Sequence, residues 1–123
     1  MEIINSNSVM ARALATYHNP WLKRRLSDYR DRLQEADCEV GELGPIVVVE
    51  PGDTLEAIET ATGVADLDSR EYCEGDHGWY ELAFVTGQDG GGAVLLVPDR
   101  DGIDPALLAI VRSQPRAKHE QRP

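Results

Sequence analysis

The sequence predicts a single small α+β domain: a mainly antiparallel three-stranded sheet packed by helices, with a helical N-terminal region and a short C-terminal helix. Three observations predict it. The chain has 123 residues, 41% of them hydrophobic, which suits one domain with its own core. Apolar residues recur at three- and four-residue steps near both ends, the spacing of one helix face. Between them lie short β-branched and aromatic runs bounded by Gly and Pro, the pattern of strands and turns.

Ser6 to Ala15 reads as a short helix with Ser8 as its cap. Asn19-Pro20 starts a second helix. Asn accepts from the free N–H groups of a first turn, and Pro fits the first helical position because an N–H there has no partner anyway. Leu22, Leu26, Tyr29 and Leu33 then form one apolar stripe, and Trp21 reads as a core residue at its head. Asp28 and Arg32 are spaced for an ion pair one turn apart. Residues 1–36 thus make an N-terminal helical segment.

Ile46-Val47-Val48-Val49 is β-branched without alternation, as expected of a strand buried on both faces. Asp53 and Glu56 have capping-box spacing at the head of a third helix bearing Leu55 and Ile58, and Gly63 ends it. Residues 65–78 are polar and read as irregular. Trp79 to Thr86 and Ala93 to Val97 form a hairpin around the glycine-rich segment Gly87 to Gly92. Trp79 and Tyr80, adjacent on a strand, point to opposite faces, so one of them faces outward or an interface. Asp104-Pro105 repeats the cap-then-proline signal before Leu107, Leu108, Ile110 and Val111. The domain therefore spans 1–113, and the basic, proline-containing residues 114–123 read as a disordered tail. The simplest packing puts all helices on one face of the sheet.

Charge is unevenly placed within a net of −10. Residues 1–36 carry six basic and four acidic side chains, whereas residues 37–113 carry three basic and seventeen acidic ones. The acidic stretch repels phosphates and attracts basic partners, so direct nucleic-acid binding is not expected. Mimicry of DNA by an acidic surface is compatible with this composition. The two cysteines, Cys38 and Cys73, form no Cys-x-x-Cys unit and read as free thiols of a reducing compartment. Met1 to Ala15 lacks the charged-then-apolar pattern of a signal peptide, and no apolar run reaches the length of a membrane span. A cytoplasmic protein without membrane contact is expected.

The segment Cys73-Glu74-Gly75-Asp76-His77-Gly78 gathers a thiol, carboxylates and an imidazole. A Cys–His couple supports nucleophilic chemistry because the imidazole holds the thiol as thiolate. Cys73, Asp76 and His77, with Glu81, are therefore the candidate catalytic residues of an enzyme reading. The structural alternative is an acidic turn shaped by Asp76 and Gly78. Asp99 to Asp104 lacks the ligand spacing and terminal Glu of a calcium loop and reads as a turn capped by Asp104. Gly87 to Gly92 has no following Lys or Ser/Thr and so is no P-loop. No metal or cofactor is expected.

The residues Val49 to Leu67, reading VEPGDTLEAIETATGVADL, resemble the opening of a LysM glycan-binding module. Pro51, Gly52, Asp53, Thr54, Leu55, Ile58, Gly63, Val64 and Leu67 match. The module's second helix is replaced here by an acidic segment and a hairpin. Over most of 18–113, the stretches NPWL, VVVEPGDTLEAIE, HGWYELAFV, GGAVLLVP and IDPALLAI resemble small proteins carried on proteobacterial integrative and conjugative elements and plasmids. That resemblance implies a mobile-element setting and no particular reaction.

Taken together these readings favour an acidic protein-interaction module that binds a protein partner or a second copy of itself. Trp21, Tyr29, Trp79 and Tyr80 are the candidate binding residues. A thiol-dependent enzyme and a LysM-like glycan binder are the alternatives.

Overall fold

The computed structural model describes residues 1–64, 67, 72–85 and 92–113. Within them the order is β1 (Glu2–Ile4), α1 (Asn7–Thr16), α2 (Pro20–Glu35), β2 (Ile46–Val48), α3 (Leu55–Thr62), β3 (Tyr72–Asp76), β4 (Trp79–Val85), β5 (Gly92–Pro98) and α4 (Pro105–Arg112). The fold is α+β, as expected, but the sheet has five strands in the order β1-β2-β5-β4-β3. It is mixed: β2 and β5 run parallel, and every other neighbour pair is antiparallel.

Two strands escape the sequence reading. β1 is three residues long, too short to show alternation, and is held by pairing with β2 through Glu2↔Val48 and Ile4↔Ile46. β3 falls in the segment expected to be irregular. Its Glu74, Gly75 and Asp76 have poor strand propensity, and cross-strand pairing with Trp79 to Ala83 overrides that preference. A two-residue turn joins β3 to β4: His77 has φ +53° and Gly78 φ +79°, as a type I′ hairpin requires.

Helices cover both faces of the sheet, not one. α1 and α2 pack Met10, Ala13, Trp21, Leu22 and Leu26 against Ile46, Val48 and Leu96. α3 and α4 pack Ile58, Leu107 and Val111 against Val47, Leu82, Leu95 and Val97. The β-branched run at 46–49 explains this arrangement. Its side chains alternate between two dry layers, so neither face can be left to water. Full burial of each such aliphatic side chain is worth about 1.5–3 kcal/mol.

The caps are partly as expected. Asn19 accepts from Leu22 N and Asp104 from Ala106 N, and Gly63 takes φ +76° after α3. Ser6, not Ser8, caps α1, accepting from Val9 N at 3.2 Å. Thr54, not Asp53, caps α3, accepting from Ala57 N at 3.1 Å. Asp53 is drawn away because its carboxylate accepts from Glu50 N and holds the Met1 ammonium at 2.9 Å. The pair expected between Asp28 and Arg32 is replaced by a stack: the Arg32 guanidinium lies 5.6 Å from the Tyr29 ring centre. Both cysteines are free thiols. No described helix is long and apolar enough to cross a membrane. The expected tail, 114–123, and the turn residues 87–91 lie outside the described residues.

Candidate functional site

The strongest concentration of polar chemistry lies where α2 crosses β4 and β3. Trp21, Arg25 and Tyr29 are spaced four apart and so line one face of α2. On β4, Trp79 and Glu81 are two apart and share the sheet face that α2 covers. Glu74 lies directly opposite Glu81 in the β3–β4 ladder.

Glu81 is buried, with its side chain 5% exposed. Its Oε1 lies 3.1 Å from Arg25 Nε, although that N–H is not aligned for a hydrogen bond. The Tyr29 hydroxyl donates to Oε2. Arg25 Nη2 donates to Glu74 Oε1 at 3.1 Å. Burial, and then the Glu81 carboxylate, push the Tyr29 phenol far above the usual tyrosine range. Arg25 also lies 5.2 Å over Trp21, and Trp21 stacks on Trp79 with centroids 5.8 Å apart and planes 20° apart. One guanidinium therefore bridges two carboxylates and caps an aromatic stack. This assembly pins α2 to the sheet and buries Glu81.

Beside this assembly the surface opens into a cleft of about 370 Å³, lined by Tyr17, Asn19, Leu22, Val48, Val49, Glu50, Pro51, Trp79, Pro98 and Arg100. It lies at the carboxyl ends of the parallel strands β2 and β5. The loops leaving those strands, 49–54 and 99–104, pack on each other: Gly52 N donates to Gly102 O at 3.1 Å. Gly102 has φ +95°, and a Cβ there would sit 2.9 Å from Pro51. Only glycine permits that approach. These loops carry Glu50, Asp53, Asp99, Asp101 and Asp104 against a single basic residue, Arg100. Tyr17 is pushed up to about 12 by burial first, then by Glu50 and Glu2. The cleft thus has aromatic and apolar walls under a negative field.

The expected binding residues separate into two groups. Trp21, Tyr29 and Trp79 meet at the α2 crossing. Tyr80 faces the other layer, where its hydroxyl donates to Asp99 at 2.9 Å. Arg112 pairs with the same carboxylate, and Arg112 and then Tyr80 hold Asp99 below the usual carboxylate range.

The residues of the enzyme reading are not assembled. Cys73 is buried on the α3 and α4 side, its thiol near Val111 O at 4.0 Å. His77 stands in the β3–β4 turn with its side chain 65% exposed, and its Nδ1 lies 2.9 Å from Asp76 Oδ1. Four residues of extended strand put the two well over ~10 Å apart along the sheet. Glu81 is committed to Arg25 and Tyr29. Among the described residues no group of three or more His, Cys, Asp or Glu could hold a metal ion.

Sequence reasoning missed Arg25, Glu74, Tyr17, Glu50 and Arg100. Arg25 left a signal, a charged residue four positions from both Trp21 and Tyr29 and so on the same helix face. Glu74 is placed by the β3–β4 ladder, whose strand β3 was not expected, and Tyr17, Glu50 and Arg100 left no signal because loop packing brings them together. No protein-family model, curated protein or solved structure matches the chain.

Proposed function

We propose that the protein is an acidic interaction module that binds a basic segment of a protein partner at the end of the sheet where β2 and β5 finish. The observation that carries this reading is the placement of Glu50, Asp53, Asp99, Asp101 and Asp104 on two touching loops beside the open cleft. Part of this acidity has a structural cause. α3 and α4 both begin here, and carboxylates complement the positive ends of their dipoles. Glu50 and Asp101 stand outside any cap and remain exposed.

The basic helix α2 supports the same reading by elimination within the molecule. Its inward Arg25 already joins the acidic body of the chain through Glu74 and Glu81. The pairing of basic helix and acidic body is thus made within one chain, and a second copy is not required for it. A cytoplasmic setting on a mobile genetic element accords with the two free thiols and with the sequence resemblance.

Affinity capture from nuclease-treated host lysate tests the proposal. The expected result is a stoichiometric basic protein retained at low salt and released at high salt, since exposed charge pairs are screened. Retention of nothing at low salt, or of acidic proteins only, would count against it.

A further inference from the structure

We infer that the cleft at the ends of β2 and β5 is a lysine-side-chain receptor, with Trp79 and Tyr17 as its aromatic walls and Glu50 as its counter-charge. This rests on the interaction reading above and names the partner group that the site takes.

Three observations converge on an alkylammonium. The first is the wall chemistry. Trp79 is half-buried and lines the cleft, while Trp21 of α2, stacked on it, is buried and does not line the cleft. A cation over such a ring is attracted by the ring's quadrupole, and the apolar stem of lysine suits Leu22, Pro51 and Pro98. The second is the field. Glu50 shares the cleft lining with Tyr17, and burial first, then Glu50 and Glu2, keep the Tyr17 phenol protonated. The third is an internal precedent. The Met1 ammonium lies 3.1 Å from Glu50 Oε1 and 2.9 Å from Asp53 Oδ2, so these carboxylates are oriented for an ammonium group. Glu50 remains 52% exposed, and its second oxygen makes no hydrogen bond or ion pair among the described residues.

Arg100 lies on the same rim and opposes a cation. It is exposed, and its side chain makes no hydrogen bond or ion pair among the described residues. This gives the site two rim residues of opposite expected effect, both on the surface.

The test titrates N-acetyl-tetralysine amide, and its fully Nε-acetylated counterpart, into isotope-labelled protein, following the Trp79 indole resonance. The charged peptide is expected to shift that resonance and the acetylated one is not. Glu50→Gln is expected to weaken binding by about threefold and Arg100→Gln to tighten it by a similar factor, as exposed charges allow. Equal binding of the acetylated peptide, or the reverse order of the two variants, would overturn the assignment. If a captured basic partner bound wild type and Glu50→Gln equally, the cleft assignment would fall and the interaction reading would stand. If tetralysine bound as expected and no basic partner were captured, the interaction reading alone would fall.

Discussion

Glu74 and Glu81 stand opposite each other in the β3–β4 ladder, and Arg25 of α2 lies within 3.1 Å of both. Like charges directly across a ladder are destabilising by themselves. The guanidinium turns that repulsion into a tie between the helix and the sheet, and the Tyr29 hydroxyl donates a hydrogen bond to Glu81. Both helix residues sit where hydrophobic ones would otherwise pack.

Removing Arg25 is therefore expected to be severe. Arg25→Met leaves a buried carboxylate without its cation, which costs about 3–5 kcal/mol. The double variant Arg25→Met, Glu81→Met is expected to regain most of that loss, because burial of the pair itself contributes little net stability. Tyr29→Phe should cost less, about 1–3 kcal/mol, since only one donor is lost. Urea unfolding midpoints of the variants measure all three.

Asp104 caps two helices at once. Its Oδ1 accepts from Ala106 N in α4 and its Oδ2 from Leu55 N in α3, each at 2.9 Å. Asp104→Ala should cost more than an ordinary cap, about 2–3 kcal/mol against about 1 kcal/mol. Asn19→Ala, which removes one cap from α2, is the internal comparison. Equal losses in thermal denaturation would show that the second bond contributes nothing.

High pH should unfold the protein through its phenols. Tyr29 is raised by burial and by Glu81, and Tyr17 is raised to about 12 by burial and nearby carboxylates. A phenol raised on folding stabilises the fold below its unfolded value of about 10, and that contribution is lost as pH rises through the folded value. The melting temperature is expected to hold to about pH 9 and then fall. Tyr29→Phe should fall less steeply than wild type over the same range.

The two thiols should differ in reactivity. Cys73 is buried under α4, whereas Cys38 is partly exposed after α2. Partial burial and Glu42 keep the Cys38 thiol protonated, so its reaction with a thiol reagent is expected to be slow but complete in the native protein. Cys73 is expected to react only on unfolding. Rapid native labelling of Cys73 would contradict its placement and reopen the thiol-enzyme reading.

The sequence made the helices legible because each carries its own punctuation. Asn19-Pro20, Asp104-Pro105 and Gly63 act locally, and local rules read them correctly. The hairpin of β4 with β5 and the opposite facing of Trp79 and Tyr80 were legible for the same reason; the turn before β4 was legible at Gly78, but its other residue is His77, and Asp76 ends β3. β1 and β3 were not, since a three-residue strand and an acidic strand exist only through their partners. The cap of α3 was misassigned because Asp53 has a tertiary partner in Met1 that outcompetes its local role. The second helical layer was hidden although its cause, the unalternating run at 46–49, was visible. At the site, Trp79 was among the expected binding residues, but which of Trp79 and Tyr80 would face outward was not legible. Glu50, Tyr17 and Arg100 were not, because they come from three separate loops that meet only when the sheet forms.

The central claim is that the acidic end of the sheet receives a basic partner. The most direct measurement maps amide and indole shifts of the labelled protein on adding the captured partner at low salt. The account predicts that the largest changes fall on Trp79, Glu50, Gly52 and Arg100, and that they vanish at high salt. Changes centred instead on the exposed Lys23 and Arg24 would place the interface on the outer surface of α2, away from the cleft, and contradict the claim.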